Sequence, residues 1–273
     1  MRMSKDQAMG MFMGLFIGDA MGAPLEFTKP NKGKLVTTMT SGGVHQVSKG
    51  EWTDDGAMAM CIADAYISRN TFNASAIQKN FILWKDTGKF GTRDEIFDIG
   101  ITVSSALNRV TNFEYPYTSS TDERTSGNGC LMRMAPCIVW NKNNLSLSIG
   151  ESVAQSLLTH GSSDCITYTS ALAHELFVGQ PLSDYDELRN RSINNSGYVA
   201  DTYASAWHSV ISTNSFNDAI VDAINRGGDA DTVGAVTGMI AGRMYGFKAV
   251  SELASSVHSY DLLVETFTKL YKH

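Results

Sequence analysis

Glycine recurs at every fourth position, Gly234, Gly238 and Gly242, in a stretch whose apolar residues Val233, Val236, Ile240 and Met244 otherwise follow a helical repeat. Three glycines on one helix face have no side chains to hold a neighbour away, so the repeat calls for another helix packed at close range. In a bilayer this spacing would mean dimerisation. Asp231 and Arg243 in the same stretch point instead to a protein core. The three-and-four spacing also dominates elsewhere, as in Met58, Cys61, Ile62, Ala65 and Tyr66. Helices are expected over residues 75–84, 94–110, 146–158, 164–177, 198–210 and 216–225, and from Ala57 and Asp229 onward. Residues 34–39 read as a short strand. Residues 111–129, rich in Ser, Thr, Asn and Gly, form the one long irregular stretch and are too short for an interdomain linker. One all-α domain spanning residues 1–273 is expected.

The composition fits a packed body. Hydrophobic residues make up 43% of the chain and charged ones 18%, the reverse of the balance that keeps a chain disordered. A formal charge of −6 disfavours nonspecific binding to nucleic acid or to an anionic membrane. Cys61, Cys130, Cys137 and Cys165 show no metal-ligand spacing and are expected as buried free thiols. Near the start, Arg2 and Lys5 precede an apolar run that imitates a signal peptide, but Asp6 interrupts the basic region and Ser4 and Gln7 have capping-box spacing. No uninterrupted apolar stretch reaches membrane-spanning length. A cytoplasmic, monomeric protein without membrane or nucleic-acid partners is the expectation.

Two short acidic motifs carry the chemistry. Thr53-Asp54-Asp55-Gly56 and Gly227-Gly228-Asp229-Ala230-Asp231-Thr232 each bring two carboxylates and a threonine hydroxyl into a few residues. Each alone is explained as a helix cap, with Thr53 at the N-cap and Asp54 and Asp55 in the first turn. Together they hold more carboxylates than caps require, and oxygen donors of this kind suit hard divalent cations. Neither motif has the length of an EF-hand. Gly127-Asn128-Gly129, before an expected helix containing Met132 and Arg133, is a candidate anion cradle or an ordinary turn. Glu26 at a helix stop and Asp98 within Ile96-Phe97-Asp98-Ile99 are candidate acids or bases, or buried carboxylates with structural partners. His160 is a candidate catalyst or a core residue. The aspartate spacing does not fit the DDxxD pattern of prenyl-diphosphate chemistry, and no histidine directly precedes an aspartate as in a His-Asp phosphohydrolase.

The segments GLFIGDAMGAPLEF (14–27), GEWTDDGAMAM (50–60), SGNGCLMRMAPC (126–137), SGYVADTYASAW (196–207) and GGDADTVGAVTGMIAG (227–242) closely resemble the ADP-ribosylglycohydrolase family, in that family's order. The resemblance implies a compact, orthogonally packed helical domain with a central cleft holding two divalent cations, Mg²⁺ or Mn²⁺. It implies cleavage of the glycosidic bond between ADP-ribose and a modified acceptor. By position, Thr53, Asp54, Asp55, Asp229, Asp231 and Thr232 resemble the metal ligands. Glu26 resembles the acidic residue beside the scissile bond, and Asp98 a carboxylate that contacts ribose. Asn128, Gly129, Met132 and Arg133 match the loop that holds ADP-ribose, His160 a ribose contact, and Tyr198 the ring that stacks on adenine. The chain departs from the family at Gly161-Ser162-Ser163-Asp164, where relatives have a more helix-favouring run. Arginine-linked ADP-ribose on a protein is the expected substrate, through resemblance to arginine-specific relatives. Serine-linked or small-molecule ADP-ribosyl compounds are the alternatives. A noncatalytic ADP-ribose binder on the same fold would be expected to have lost metal carboxylates, and this chain keeps all four.

Overall fold

The structure, a computed structural model, describes residues 3–31, 33–182 and 193–273. Its helices are α1 (Lys5–Gly22), α2 (Asp54–Arg69), α3 (Ala74–Thr87), α4 (Ile101–Asn108), α5 (Ala135–Trp140) and α6 (Leu145–Ser156). They continue with α7 (Ser163–Val178), α8 (Val199–Ile211), α9 (Phe216–Ile224), α10 (Ala230–Tyr245), α11 (Ser251–Ala254) and α12 (Tyr260–Tyr271). Among the described residues there are isolated bridges but no strand, so the all-α expectation holds.

The axis of the molecule is α1 against α10, running antiparallel. Gly10, Gly14, Gly18 and Gly22 of α1 face Gly242, Gly238, Gly234 and Ala230 of α10 in register. A Cβ added at Gly14 would lie 2.0 Å from the Gly238 carbonyl oxygen, and one at Gly238 would lie 1.9 Å from that of Gly14. The partner called for by the glycine repeat is therefore the apolar helix near the start of the chain. Apart from its first turn, α1 is almost wholly buried, apolar on every face as a central helix must be. Extended through Leu25 it is long and apolar enough to cross a membrane, despite Asp19, which differs from the expectation; here 89% of that window is buried within protein. Its start carries the capping box: Ser4 Oγ accepts from the Gln7 amide, and the Gln7 side chain accepts from the Ser4 amide.

Three expectations fail for local reasons. The helix expected over 94–110 is only α4, because Gly100 is extended (ψ 145°) as its N-cap, and residues 94–100 run as irregular chain. The strand expected over 34–39 does not form. The Asn225 side chain instead accepts from Val36 N at 2.9 Å and donates to Val36 O at 2.9 Å, occupying the groups that a partner strand would use. Met132 and Arg133 lie in a turn, and the helix begins at Ala135, with Pro136 in its first turn. The departure at Gly161-Ser162-Ser163-Asp164 has a structural use, since Ser162 caps α7 by accepting from the Cys165 amide. All four cysteines are buried and unpaired.

Candidate active site

The N-termini of α2 and α10 converge on one cleft of about 510 Å³, closed on its other sides by residues 98–103, the 127–129 loop and 195–197. Their positive dipole ends face the aspartates that open each helix. At α2, Thr53 does not cap its own helix. Its hydroxyl donates to Asp19 Oδ1 at 3.0 Å, and Asp19 also accepts from the amides of Thr53 (3.0 Å) and Gly56 (2.9 Å). A carboxylate of α1 thus does the capping across the helix interface. Gly56 leaves room for the ring of Trp52, which a Cβ there would meet at 2.6 Å.

At α10 the chain enters through Gly227 and Gly228, both left-handed (φ 66° and 63°) and wedged against the carbonyls of Thr28 and Asn195. A side chain at either position would meet both a φ that residues with a Cβ rarely adopt and a backbone atom. The turn delivers Asp229, whose Oδ2 accepts from Asn128 Nδ2 at 2.7 Å, and then Asp231, whose Oδ1 accepts from the Thr232 amide at 2.8 Å. Thr232 Oγ1 lies 3.4 Å from Asp55 Oδ2 and links the two motifs across the cleft floor.

The electrostatics are one-sided. Burial, aggravated by neighbouring carboxylates, drives Asp54, Asp55 and Asp231 well above the usual carboxylate range. Burial and the charge of Asp98 push Glu26 up to about 9. Asp98 itself rises to about 6 through burial and the charges of Asp19 and Asp229. Asp19 rises to about 7 by burial, against the lowering effect of the Thr53 and Gly56 amides. Asp55 Oδ1 and Glu26 Oε2 are buried with no hydrogen-bond partner among the described residues. Orphaned oxygens of this kind are costly, and a hard cation is the partner their chemistry fits. Glu26, Asp229 and Asp231 present ligand atoms within 4.8 Å of one another, and so do Glu26, His45 and Asp98.

The structure brings most of the expected residues together. Glu26, Asp54, Asp98, Asn128, Gly129, Met132, His160, Asp229, Asp231 and Thr232 line the cleft, with Thr53 and Asp55 buried directly behind. Two stand apart. Arg133 is fully buried and does not reach the cleft; its guanidinium bonds Gln155 and Thr159 and lies over the Phe81 ring. Tyr198 is half-exposed beside the cleft-lining Gly197, its hydroxyl donating to Asp164 at 2.7 Å. Asn128 spends its amide N–H groups on Asp229 and Thr202, so it holds an aspartate in place.

Two participants escape a sequence reading. Asp19 lies inside a motif dominated by apolar residues, and a lone carboxylate in such a run is the signal that could have found it. His45, with Nε2 at 2.9 Å from Glu26 and 3.5 Å from Asp98, follows two glycines in an irregular loop and gives no such signal. Its contact with Glu26 is not aligned as a hydrogen bond, and burial holds it below the usual histidine range. Arg93 fixes this region by pairing with Glu51 at 2.8 Å, donating to the carbonyls of His45 and Gln46, and lying 3.9 Å over the Phe97 ring.

The sequence model of the family described as ADP-ribosylglycohydrolase matches residues 2–272. The chain is 34% identical to "ADP-ribosylarginine hydrolase Tri1" of Pseudomonas putida (strain GB-1), over 97% of this chain and 78% of that one. It is 29% identical to "ADP-ribosyl-[dinitrogen reductase] glycohydrolase" of Rhodospirillum rubrum, over 88% and 86% of the two chains. A solved structure titled "ADP-ribosylglycohydrolase-related protein complex" superposes with a TM-score of 0.85 at 27% identity, covering 98% of each chain.

Proposed function

Because this chain belongs to the ADP-ribosylglycohydrolase family, we propose that its cleft hydrolyses the bond between ADP-ribose and a protein arginine. Two relatives named ADP-ribosylarginine hydrolase, at 34% and 33% identity, support the arginine linkage. The observation that carries the reading is the convergence of Asp54, Asp229, Asp231 and Glu26 on one cleft, with Asp55 buried behind them, which leaves Glu26 Oε2 and Asp55 Oδ1 without a hydrogen-bond partner among the described residues. Thr53, Asp54, Asp55, Asp229, Asp231 and Thr232 would hold two divalent cations, Mg²⁺ or Mn²⁺. When bound, these supply a positive field that orients the ribose hydroxyls and the attacking water.

The protein's own groups do the rest. Water adds to the anomeric carbon of the ribose while the carbon–nitrogen bond to the guanidinium breaks. The water proton passes through a carboxylate to the departing guanidine nitrogen, so arginine leaves in its ordinary cationic form. Glu26 and Asp98, flanking His45 on one side of the cleft, are the candidate carriers of that proton. The acidic cleft attracts a cationic acceptor. Tyr198 at the margin is the candidate surface for adenine, through a ring face that stacks on a base whatever its edge.

The test offers ADP-ribosyl-arginine and ADP-ribosyl-serine peptides side by side, with Mg²⁺, with Mn²⁺ and in excess chelator. Release from the arginine peptide, dependent on metal, is expected. Release from the serine peptide alone would transfer the assignment to the O-glycosidic linkage, and full activity in chelator would sink the metal centre.

A further inference from the structure

Gly127 and Gly129 have a neighbour that explains them better than an anion cradle does. A Cβ at Gly129 would lie 2.8 Å from His160 Cε1, and one at Gly127 would lie 3.2 Å from His160 Nε2. The two glycines make room for an imidazole that is buried yet lines the cleft. The other side of that ring is held by a hydrogen-bonded chain. Arg133 Nη2 lies 2.7 Å from Thr159 Oγ1, and Thr159 Oγ1 lies 2.8 Å from His160 Nδ1.

The direction of the chain follows from its donors. The guanidinium can only donate, so Thr159 Oγ1 accepts from Arg133. The Thr159 hydroxyl proton then needs an acceptor, and within this fully buried side chain's reach the structure gives it one, His160 Nδ1. The opposite tautomer would point two hydrogens at each other or strand a buried hydroxyl proton. Arg133 is held for this task by Gln155, whose side-chain and backbone oxygens accept at 2.6 and 3.1 Å. Burial and the Arg133 charge also push His160 down to about 3, so the ring is neutral at ordinary pH.

We infer that Arg133 and Thr159 are positioning residues that fix His160 as its Nε2–H tautomer, so that the ring offers a hydrogen-bond donor to an oxygen of the ADP-ribosyl group. The ligand identity rests on the proposed function; the tautomer does not. A donor without acceptor capacity suits a ribose hydroxyl oxygen or a phosphate oxygen and disfavours a ligand N–H at the same place.

Nitrogen-15 spectra of histidine-labelled protein test this, with the His160 signals identified by their loss in His160→Asn. The wild type should show Nδ1 without a proton and Nε2 with one, unchanged from about pH 5 to 8. Free ADP-ribose should shift the Nε2–H signal. Thr159→Val should lose the single tautomer and weaken ADP-ribose binding about tenfold in calorimetry, and Thr159→Ser should restore both. A protonated Nδ1 in the wild type, a ring that titrates in the usual histidine range, or a Thr159→Val protein with unchanged tautomer and affinity would overturn the inference. If Thr159→Val does not fold, the wild-type tautomer and its response to ADP-ribose still decide. Should the wild type bind no ADP-ribose, the functional reading fails and the donor role with it, while the spectrum still judges the tautomer.

Discussion

Asp55 has a fully buried carboxyl group, one oxygen of which has no hydrogen-bond partner among the described residues. Two opposite effects of Asp55→Ala are therefore expected. Turnover falls below detection in the presence of metal, whereas the melting temperature in chelator rises, because an unpaired buried group is gone. Asp231→Ala should likewise abolish turnover, with helical circular dichroism retained. The upward shifts also fix a pH dependence. Asp19 at about 7 and Glu26 at about 9 bind protons more tightly folded than unfolded, so their effect favours the fold at low pH and is lost as pH rises through those values. Metal-free protein should lose thermal stability between about pH 5 and 9. Added Mn²⁺ should raise the melting temperature more at pH 8 than at pH 5, since the ligands must be deprotonated to bind it. Equal shifts at both pH values would contradict the carboxylate site. The aspartates of the two motifs were legible because each motif is local. His45 and the buried course of Arg133 were not, since both depend on loops and helices brought together only by tertiary packing.

At the level of elements, α1 and α10 touch backbone to backbone, so a single methyl is a large perturbation. Gly14→Ala or Gly238→Ala forces the helices apart, with an expected loss of about 3 kcal/mol or more in denaturant unfolding. Gly150→Ala, on α6 with no described atom within 4 Å of an added Cβ, should be neutral or slightly stabilising. A loss at Gly150 matching that at Gly14 would mean that close packing of α1 on α10 is not what sets the response, since helix propensity favours alanine at both positions. The repeat at 234, 238 and 242 announced a helical partner but could not name it. The matching glycines of α1 lay in a run whose apolar character resembled a leader sequence. The helix expected over 94–110 failed for a related reason. Ile96 and Ile99 have helical spacing relative to Val103 in α4, but Gly100 is extended as the N-cap of α4, and the residues before it run as irregular chain with Asp98 on the cleft. Periodicity records which residues are buried, and an irregular segment against a cleft buries residues too.

For the molecule as a whole, the cleft is assembled from opposite ends of the sequence and held by the α1–α10 pair. Amide exchange should find α1 and α10 protected together to the level of global unfolding, whereas residues 94–100 open first, because they carry few backbone hydrogen bonds. Arg93 is the restraint on that segment. Arg93→Ala should speed exchange there and lower kcat while leaving the exchange of α1 unchanged. The same pairing has a consequence on the ribosome. About 200 residues separate the end of α1 from the start of α10, so at bacterial or eukaryotic elongation rates roughly 10 to 40 seconds pass between their syntheses. Once it clears the ribosome, an apolar helix with a bare glycine face waits for the surface that will cover it. Its fate until then depends on whatever cellular factors shelter nascent chains, and a stall in the middle of the message would leave it uncovered for as long as the stall lasts.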